Sequence, residues 1–163
     1  MMTSFVVDTN VAIAANGRNT HADLECQLEC TKKLENLCRQ QVVVVDDSNL
    51  IFDEYKGYLN FAGVPGVGDM FFKHVFNHMH SSCHVRRISI TPCSDDRLGF
   101  KELPENDLDK SDRKFLAAAL VAQATILNAT DSDWSEQEAL TKSLGVTVQQ
   151  LCPQHASKYS ERG

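Results

Sequence analysis

Four consecutive valines at residues 42–45, followed directly by Asp46 and Asp47, constrain the fold of this chain more than any other feature. A strand with one wet face alternates apolar and polar residues, whereas an unbroken β-branched run is typical of a strand that is buried on both faces. Such strands occur in parallel sheets that helices cover on both sides. A second short β-prone run, residues 4–7, also ends at an acid, Asp8. The sequence therefore predicts an α/β protein.

The segment between these two runs has a helical pattern. Leu24, Leu28, Leu34 and Leu37 recur at helical spacing, and charged residues are available for the wet side. A strand, a helix and a second strand in this order normally form a right-handed crossover with parallel strands. Further patterns predict helices from about residue 48 and over 70–79, a strand at 85–90, a long polar connection at 91–110, a helix that Asp112 opens, a strand at 125–128, a helix over 135–144 and a strand at 146–148.

Together these elements predict one domain over residues 1–153, followed by a C-terminal tail over 154–163. The expected fold is a three-layer α/β/α sandwich with a mainly parallel central sheet. A chain of 163 residues can bury one core without cross-links, and its six cysteines include no Cys-x-x-Cys pair. The first residues carry no basic segment followed by a long apolar run. We expect free thiols, a reducing cytoplasmic setting and no membrane segment.

The net charge of −6 argues against a protein that holds nucleic acid through a basic surface. A metal-dependent enzyme is compatible with this charge, because several acids concentrated in one pocket lower the total. Cations bound in such a pocket invert the local field.

Four acids stand where parallel sheets bind ligands. Asp8 and Asp131 follow predicted strands, Asp112 opens a helix, and Glu54 lies in the first turns of another helix. The ligand crevice of such a sheet lies beyond the carboxyl ends of its strands, so these acids can converge there. Clustered carboxylates repel one another unless a cation neutralises them, and ligation by oxygen alone suits Mg²⁺ or Mn²⁺.

Four segments resemble the PIN-domain family of nucleases, and they occur in the family's order. VVDTN at 6–10 is similar to the opening strand, SNLIFDEY at 48–55 to the acid-bearing second helix, DKSDRKFLAAA at 109–119 to the third acidic block and ILNATDSDW at 126–134 to the fourth. Each segment alone is weakly specific, but the ordered set spans most of the chain. The chain departs from the commonest pattern in its long insertion over 63–82.

The resemblance implies a set of site residues. The catalytic and metal-binding acids of the family match Asp8, Glu54, Asp112 and Asp131. Asp109 and Asp133 are expected as further or alternative metal ligands. The residues expected at the substrate are Asn10, Arg18, Arg113, Lys114 and Thr130. Asn10 matches a position that helps order the site, the three cationic side chains would orient phosphates, and Thr130 stands where the family often has glycine or arginine.

The activity that the resemblance implies is hydrolysis of phosphodiester bonds by a metal-activated water. We expect an endoribonuclease that cuts single-stranded RNA, with DNA as the other possible substrate. Many PIN proteins are toxins, so an inhibitory antitoxin protein is one expected partner, and a second copy of the chain in a homodimer is another.

Two other functions fit part of the pattern. A phosphatase of the haloacid dehalogenase type also begins with an aspartate after the first strand, but its signature requires a second aspartate where this chain has Asn10. A catalytically silent PIN-like module that binds RNA or protein would keep the fold. The presence of all four acids argues against the silent module.

Two further groups of polar residues have ordinary interpretations. The histidine-rich run at 74–84 invites comparison with a zinc site, but it lacks a second paired half, so we interpret it as a solvated or partner-facing helix end. Asp46, Asp47, Asp95 and Asp96 stand in loops, where acids commonly form turns and cap helices. We assign these four acids no catalytic role.

Overall fold

The computed structural model describes residues 3–155, which form a five-stranded sheet flanked by helices. The strands are β1 (Ser4–Val7), β2 (Val42–Asp46), β3 (Val85–Ile88), β4 (Thr125–Asn128) and β5 (Val148–Gln150). The helices are α1 (Thr9–Asn16), α2 (Leu24–Gln40), α3 (Leu50–Tyr58), α4 (Val67–Asn77), α5 (Arg113–Ala122), α6 (Asp133–Glu136) and α7 (Glu138–Ser143).

All neighbouring strands in the sheet are parallel, in the order β3-β2-β1-β4-β5. This order confirms the predicted α/β/α sandwich. The chain adds β2 and β3 on one side of β1, and then β4 and β5 on the other, so the winding reverses between β1 and β4. Ligands bind beyond the carboxyl ends of the strands at such a reversal point. Val7 pairs with Leu127, so the two strands end side by side there.

The apolar runs of the sequence form the core around this sheet. The valines at 43–45 are fully buried, as their unbroken pattern predicts. Helix α5 packs on β1, β2, β3 and β4 through the fully buried alanines at 117–119. Because these side chains are small, α5 lies close to the sheet. Helix α5 begins at Arg113, so Asp112 directly precedes it at the carboxyl edge of the strands.

Several local features differ from the prediction. Helix α4 begins at Val67 instead of residue 70, and β3 ends at Ile88 instead of residue 90. Helix α1 directly after Asp8 has only eight residues, too few for a clear periodic pattern. The predicted helix over 135–144 consists of two short helices, α6 and α7, which Gln137 separates. The last strand begins at Val148, two residues later than expected.

The long polar connection over 91–110 is held by burial rather than by regular secondary structure. Phe100, Leu103 and Leu108 enter the core, and Pro92 forms an isolated antiparallel bridge with Phe100. The connection therefore has a defined path from the end of β3 to the start of α5.

The expectation that all six thiols are free is wrong, because Cys26 and Cys152 form a disulfide. Cys30, Cys38, Cys83 and Cys93 are free. The bonded cysteines are 126 residues apart in the chain, so only the fold brings them together and no local spacing signals the pair.

At the C-terminal end, Gln154 and His155 both contact Asp23 at the start of α2. The rest of the predicted tail lies outside the described residues. Within residues 3–155, no helix combines the length and the apolar character that a membrane crossing needs.

Candidate metal centre

Three carboxylates from distant parts of the chain meet at the reversal point of the sheet. Asp8 follows β1, Asp112 precedes α5, and Asp131 follows β4. Each offers an oxygen, and these three oxygens all lie within 4.8 Å of one another. Asp8 and Asp112 are buried and Asp131 is half-buried. The fold thus unites three of the four acids that the sequence proposes as metal ligands.

The electrostatics of this cluster disfavour three negative charges. Burial raises the pKa of Asp8 to about 7, with further contributions from the charges of Asp131 and Glu54, against the lowering effect of the Trp134 hydrogen bond. Burial also raises the pKa of Asp112 to about 9, and the charges of Asp8 and Asp131 add to this effect. The cluster is therefore a place where positive charge is strongly favoured.

The donor set fits a hard divalent cation. All three groups are carboxylates, which Mg²⁺ and Mn²⁺ prefer as ligands, and no thiol or imidazole belongs to this cluster. A cation would also remove the repulsion that raises the two pKa values. Asp112 is the N-cap residue of α5, yet its side chain makes no capping hydrogen bond, so helix capping does not explain its position.

Glu54, the fourth acid, lies next to the cluster and is paired within the protein. Its Oε1 accepts a hydrogen bond from Lys114 Nζ at 2.8 Å, and its Oε2 accepts one from the Thr9 hydroxyl. The ion pair is mostly buried, with 14% of the Lys114 side chain and 19% of the Glu54 side chain exposed. Glu54 is close enough for its charge to raise the pKa of Asp8. Lys114 therefore lies at the edge of the cluster, as expected.

A polar network fixes the loop that carries Asp131. Oδ1 of Asn10 accepts hydrogen bonds from the backbone N–H groups of Ala129 and Thr130, and its Nδ2 donates to Asn128 Oδ1 at 2.9 Å. The amide of Asn128 in turn donates to the backbone carbonyl of Asp131 at 2.8 Å. Asn10 thus orders the site, and the backbone of Thr130 is part of the same network.

The two further ligands expected from the sequence differ in their surroundings. Burial raises the pKa of Asp133, and the charge of Asp131 adds to this effect, so Asp133 lies beside the cluster. Asp109 instead uses its Oδ1 to accept hydrogen bonds from the backbone and the hydroxyl of Ser111, at 2.9 and 2.7 Å. Asp109 forms the turn before α5, and it does not belong to the group of three converging oxygens.

Arg113 differs from its expected role at the phosphates. The side chain is buried, and its guanidinium donates to the backbone carbonyls of Leu108 at 3.1 Å, Asp96 at 2.6 Å and Asn106 at 3.2 Å. All three carbonyls belong to the connection over 91–110. Arg113 therefore holds this connection in place, and these bonds direct its donors toward the loop.

Arg18 is also engaged in the protein. Its guanidinium donates to Asp69 Oδ2 at 2.6 Å and to the carbonyl of Val64 at 2.9 Å. Asp69 is buried and accepts further hydrogen bonds from Asn16 and from the backbone of Asn60 and Gly66. Arg18 and Asn16 thus hold the insertion after α3 against the end of α1.

The acids that received no catalytic role include a clear helix cap. The buried carboxylate of Asp46 accepts hydrogen bonds from the backbone N–H groups of Ser48, Leu50 and Ile51 at the start of α3. Asp95 likewise accepts a hydrogen bond from the backbone of Arg97 in its turn. These bonds confirm the predicted structural roles, a helix cap for Asp46 and a turn for Asp95.

The histidine-rich run forms a compact group instead of a solvated end. The ring of His78 lies 4.4 Å from the rings of His74 and His84, centroid to centroid, and all three residues are half-buried. Burial lowers the pKa of His74 to about 4, and the neighbouring imidazoles add to the effect. Within residues 3–155, ligand atoms of three residues come within 4.8 Å of one another in only two groups, and the imidazoles belong to neither.

Several side chains without an acidic group also shape the centre, and the sequence alone did not identify their roles. Trp134 is fully buried beside the fourth acidic loop, and its indole N–H donates to Asp8 Oδ2 at 2.7 Å. Thr9 and Asn128 were not singled out either, although Thr9 follows Asp8 directly and Asn128 is the last residue of β4. Their position at the strand ends is the signal that identifies them.

Comparisons with models of known families, with curated proteins and with solved structures yield no match to this chain.

Proposed function

We propose that this protein is a metal-dependent nuclease, an endoribonuclease that hydrolyses phosphodiester bonds in single-stranded RNA. The observation that carries the proposal is the convergence of Asp8, Asp112 and Asp131, which stand at the reversal point of a parallel sheet although more than a hundred residues separate the first from the last. The resemblance of four ordered segments to PIN-domain nucleases supports the same activity. Neither argument depends on the other.

Asp8, Asp112 and Asp131 would hold the cation, with Asp133 beside them as an additional carboxylate. A bound Mg²⁺ or Mn²⁺ would supply Lewis acidity toward a phosphate and lower the pKa of a water nucleophile. The raised pKa values of Asp8 and Asp112 mean that these groups exchange protons for the cation when they bind it.

The protein's own residues position the substrate in this proposal. Lys114 is paired with Glu54 beside the carboxylates, and its ammonium group can share a phosphate oxygen while this pair persists. The Asn10 network keeps the loop of Asp131 in one conformation, so the ligand oxygen is placed before the cation arrives. Pre-placement of this kind lowers the cost of assembling the site.

The choice of RNA over DNA, and the role as a toxin with an inhibitory antitoxin partner or as a homodimer, rest on the family resemblance alone. The net charge of −6 favours a substrate that binds mainly through the cation at the cluster, because the surface as a whole repels phosphates. We therefore expect affinity for nucleic acid to depend on the metal.

One observation argues against the phosphatase of the haloacid dehalogenase type. The signature of that class has a second aspartate where this chain has Asn10, whose carbonyl and amide groups both form hydrogen bonds with residues 128–130. An amide in this network has no proton to exchange at neutral pH.

The test is cleavage of labelled single-stranded RNA and DNA panels in the presence of Mg²⁺, Mn²⁺ or a chelator. We expect internal cuts in RNA with either cation and none with the chelator. Cleavage that survives the chelator would contradict the metal-dependent mechanism. Metal binding without cleavage of any panel member would instead indicate the silent RNA-binding or protein-binding module.

A further inference from the structure

Three cysteine sulfurs meet where helix α2 contacts the end of the chain. Cys26 and Cys30 are four residues apart on α2, so they lie on the same face of the helix. Cys152 follows strand β5 and faces them from the C-terminal segment. All three residues are fully buried, and no part of the proposed nuclease site uses them.

The distances among these sulfurs suit a single metal ion. The three Sγ atoms all lie within 4.8 Å of one another, and Cys30 Sγ is 3.9 Å from Cys152 Sγ. A tetrahedral zinc site with Zn–S bonds of about 2.3 Å places its sulfurs about 3.8 Å apart. Opening the Cys26–Cys152 disulfide leaves three thiols that a small shift brings to this spacing.

His155 is the imidazole that we assign as the fourth ligand, because it lies close in sequence to Cys152 and contacts the start of α2. It follows Cys152 by three residues, and its Nε2 accepts a hydrogen bond from the backbone N–H of Asp23 at 3.1 Å. Asp23 is the N-cap residue of α2, three positions before Cys26. When Nδ1 binds the metal, Nε2 carries the ring proton and donates it to the Asp23 carboxylate, whose Oδ2 lies 3.4 Å away, in place of the bond from the Asp23 N–H.

We propose that the reduced protein binds one zinc ion through the thiolates of Cys26, Cys30 and Cys152, with His155 as the fourth ligand. The site ties α2 to the C-terminal segment, and it is chemically separate from the carboxylate cluster. Thiolates select zinc, whereas carboxylates select Mg²⁺ or Mn²⁺, so the two sites take different metals.

The zinc form and the disulfide form exclude each other. A dithiol or phosphine reductant supplies two electrons, and two protons from solvent complete the conversion of the Cys26–Cys152 disulfide into two thiols. Zinc then displaces the protons of three thiols. Zinc uptake by the reduced protein therefore releases protons.

The experiment measures zinc in protein that has been reduced with a phosphine, incubated with zinc and desalted. We expect about one zinc per chain in the wild type, and less than a tenth of that after oxidation with diamide, which re-forms the disulfide. Cobalt in place of zinc should give the near-ultraviolet thiolate charge-transfer band and the visible bands of a tetrahedral site. This spectrum uses the wild-type chain and requires no variant to fold.

Three variants locate the metal. Cys30→Ala should lose the zinc and the thiolate band, whereas Cys83→Ala, which removes an exposed free thiol elsewhere, should keep both. Asp112→Asn should also keep them, because it alters only the carboxylate cluster. His155→Ala should weaken zinc binding about ten-fold to a hundred-fold. The assignment would be overturned if the reduced wild type retained no zinc. It would also be overturned if Cys30→Ala retained as much zinc as the wild type, or if His155→Ala bound zinc with the affinity of the wild type.

Discussion

Trp134 donates the N–H of its indole ring to Oδ2 of Asp8 over 2.7 Å, across 126 positions of sequence. The bond fixes the side chain of Asp8 with a neutral donor, so it adds no positive charge to the carboxylate cluster. The ammonium group of Lys114 forms an ion pair with Glu54 rather than with the three converging acids. Bound protons or a cation must therefore relieve the repulsion among these carboxylates, and the burial of the cluster costs stability until a cation binds.

Removal of one charge from the cluster should stabilise the metal-free protein. Asp112→Asn keeps the size of the side chain and deletes a carboxylate whose pKa is raised to about 9 by burial and by the charges of Asp8 and Asp131. We expect the melting temperature at pH 7.5 in chelator to rise by roughly 4–8 °C, for a gain of about 2 kcal/mol. Differential scanning calorimetry measures the change, and Asp96→Asn, at an exposed acid, is the control. A lower melting temperature in Asp112→Asn would contradict this account of the cluster.

The stability of the metal-free protein should depend on pH in a defined direction. The folded-state pKa values of Asp8, about 7, and Asp112, about 9, lie above the ordinary value of 3.8. The folded state therefore binds more protons than the unfolded state in this range, and the free energy of unfolding falls as pH rises from about 4 to about 9. His74, with its pKa lowered to about 4, acts in the opposite direction below pH 6.5.

His74 contributes equally to the free energy of unfolding of the wild type and of Asp112→Asn, so its contribution cancels when the two values are subtracted. We expect this difference in free energy of unfolding to be small at pH 5 and to grow toward pH 8.5, as urea denaturation would measure. A difference that stays constant over this range would show that Asp112 titrates normally.

Much of the fold could be predicted because buried strands have a recognisable pattern of apolar residues in the sequence. The valine run of β2 and the apolar residues of α5 have patterns that admit few alternatives, and β4 has the predicted bounds. Helix α1 and the split of α6 from α7 could not be predicted, since elements this short carry too little periodicity.

The candidate site divides in the same way. Asp8, Asp112 and Asp131 could be named because strand ends and helix starts are readable from sequence, and a parallel sheet gathers them on one edge. The partners of Arg18 and Arg113 could not, because a long cationic side chain can reach in several directions. Only the packed fold decides whether such a side chain meets loop carbonyls, a carboxylate or a substrate.

Arg113 should stabilise the folded protein rather than bind the substrate. Arg113→Ala removes the donors to three backbone carbonyls and leaves them unpaired in a partly buried loop. We expect a loss of about 3 kcal/mol in the free energy of unfolding, measured by urea denaturation, with Lys110→Ala as the exposed control. An Arg113→Ala variant of unchanged stability that fails only to bind RNA would restore the phosphate-orienting role.

Lys114 should act on the substrate more than on the metal. Lys114→Ala deletes the ammonium group beside Glu54 and makes the site more negative, so Mn²⁺ should bind at least as tightly as before. Binding of single-stranded RNA should weaken, and its dependence on salt should fall by about one phosphate contact. Titration calorimetry gives the metal affinity, and fluorescence anisotropy at several salt concentrations gives the RNA slope. An unchanged salt dependence of RNA binding would show that Lys114 does not contact the phosphates of the substrate.

The most direct measurement is cleavage of labelled single-stranded RNA with Mn²⁺ by the wild type, Asp8→Asn and the loop control Asp47→Asn. Asparagine keeps an oxygen that can accept the Trp134 hydrogen bond, so Asp8→Asn should fold with an unchanged circular dichroism spectrum. We expect the wild type and Asp47→Asn to cut the RNA equally well, and Asp8→Asn to lose at least a hundred-fold of the rate, about 2.7 kcal/mol. Equal cleavage by the wild type and Asp8→Asn would contradict this expectation.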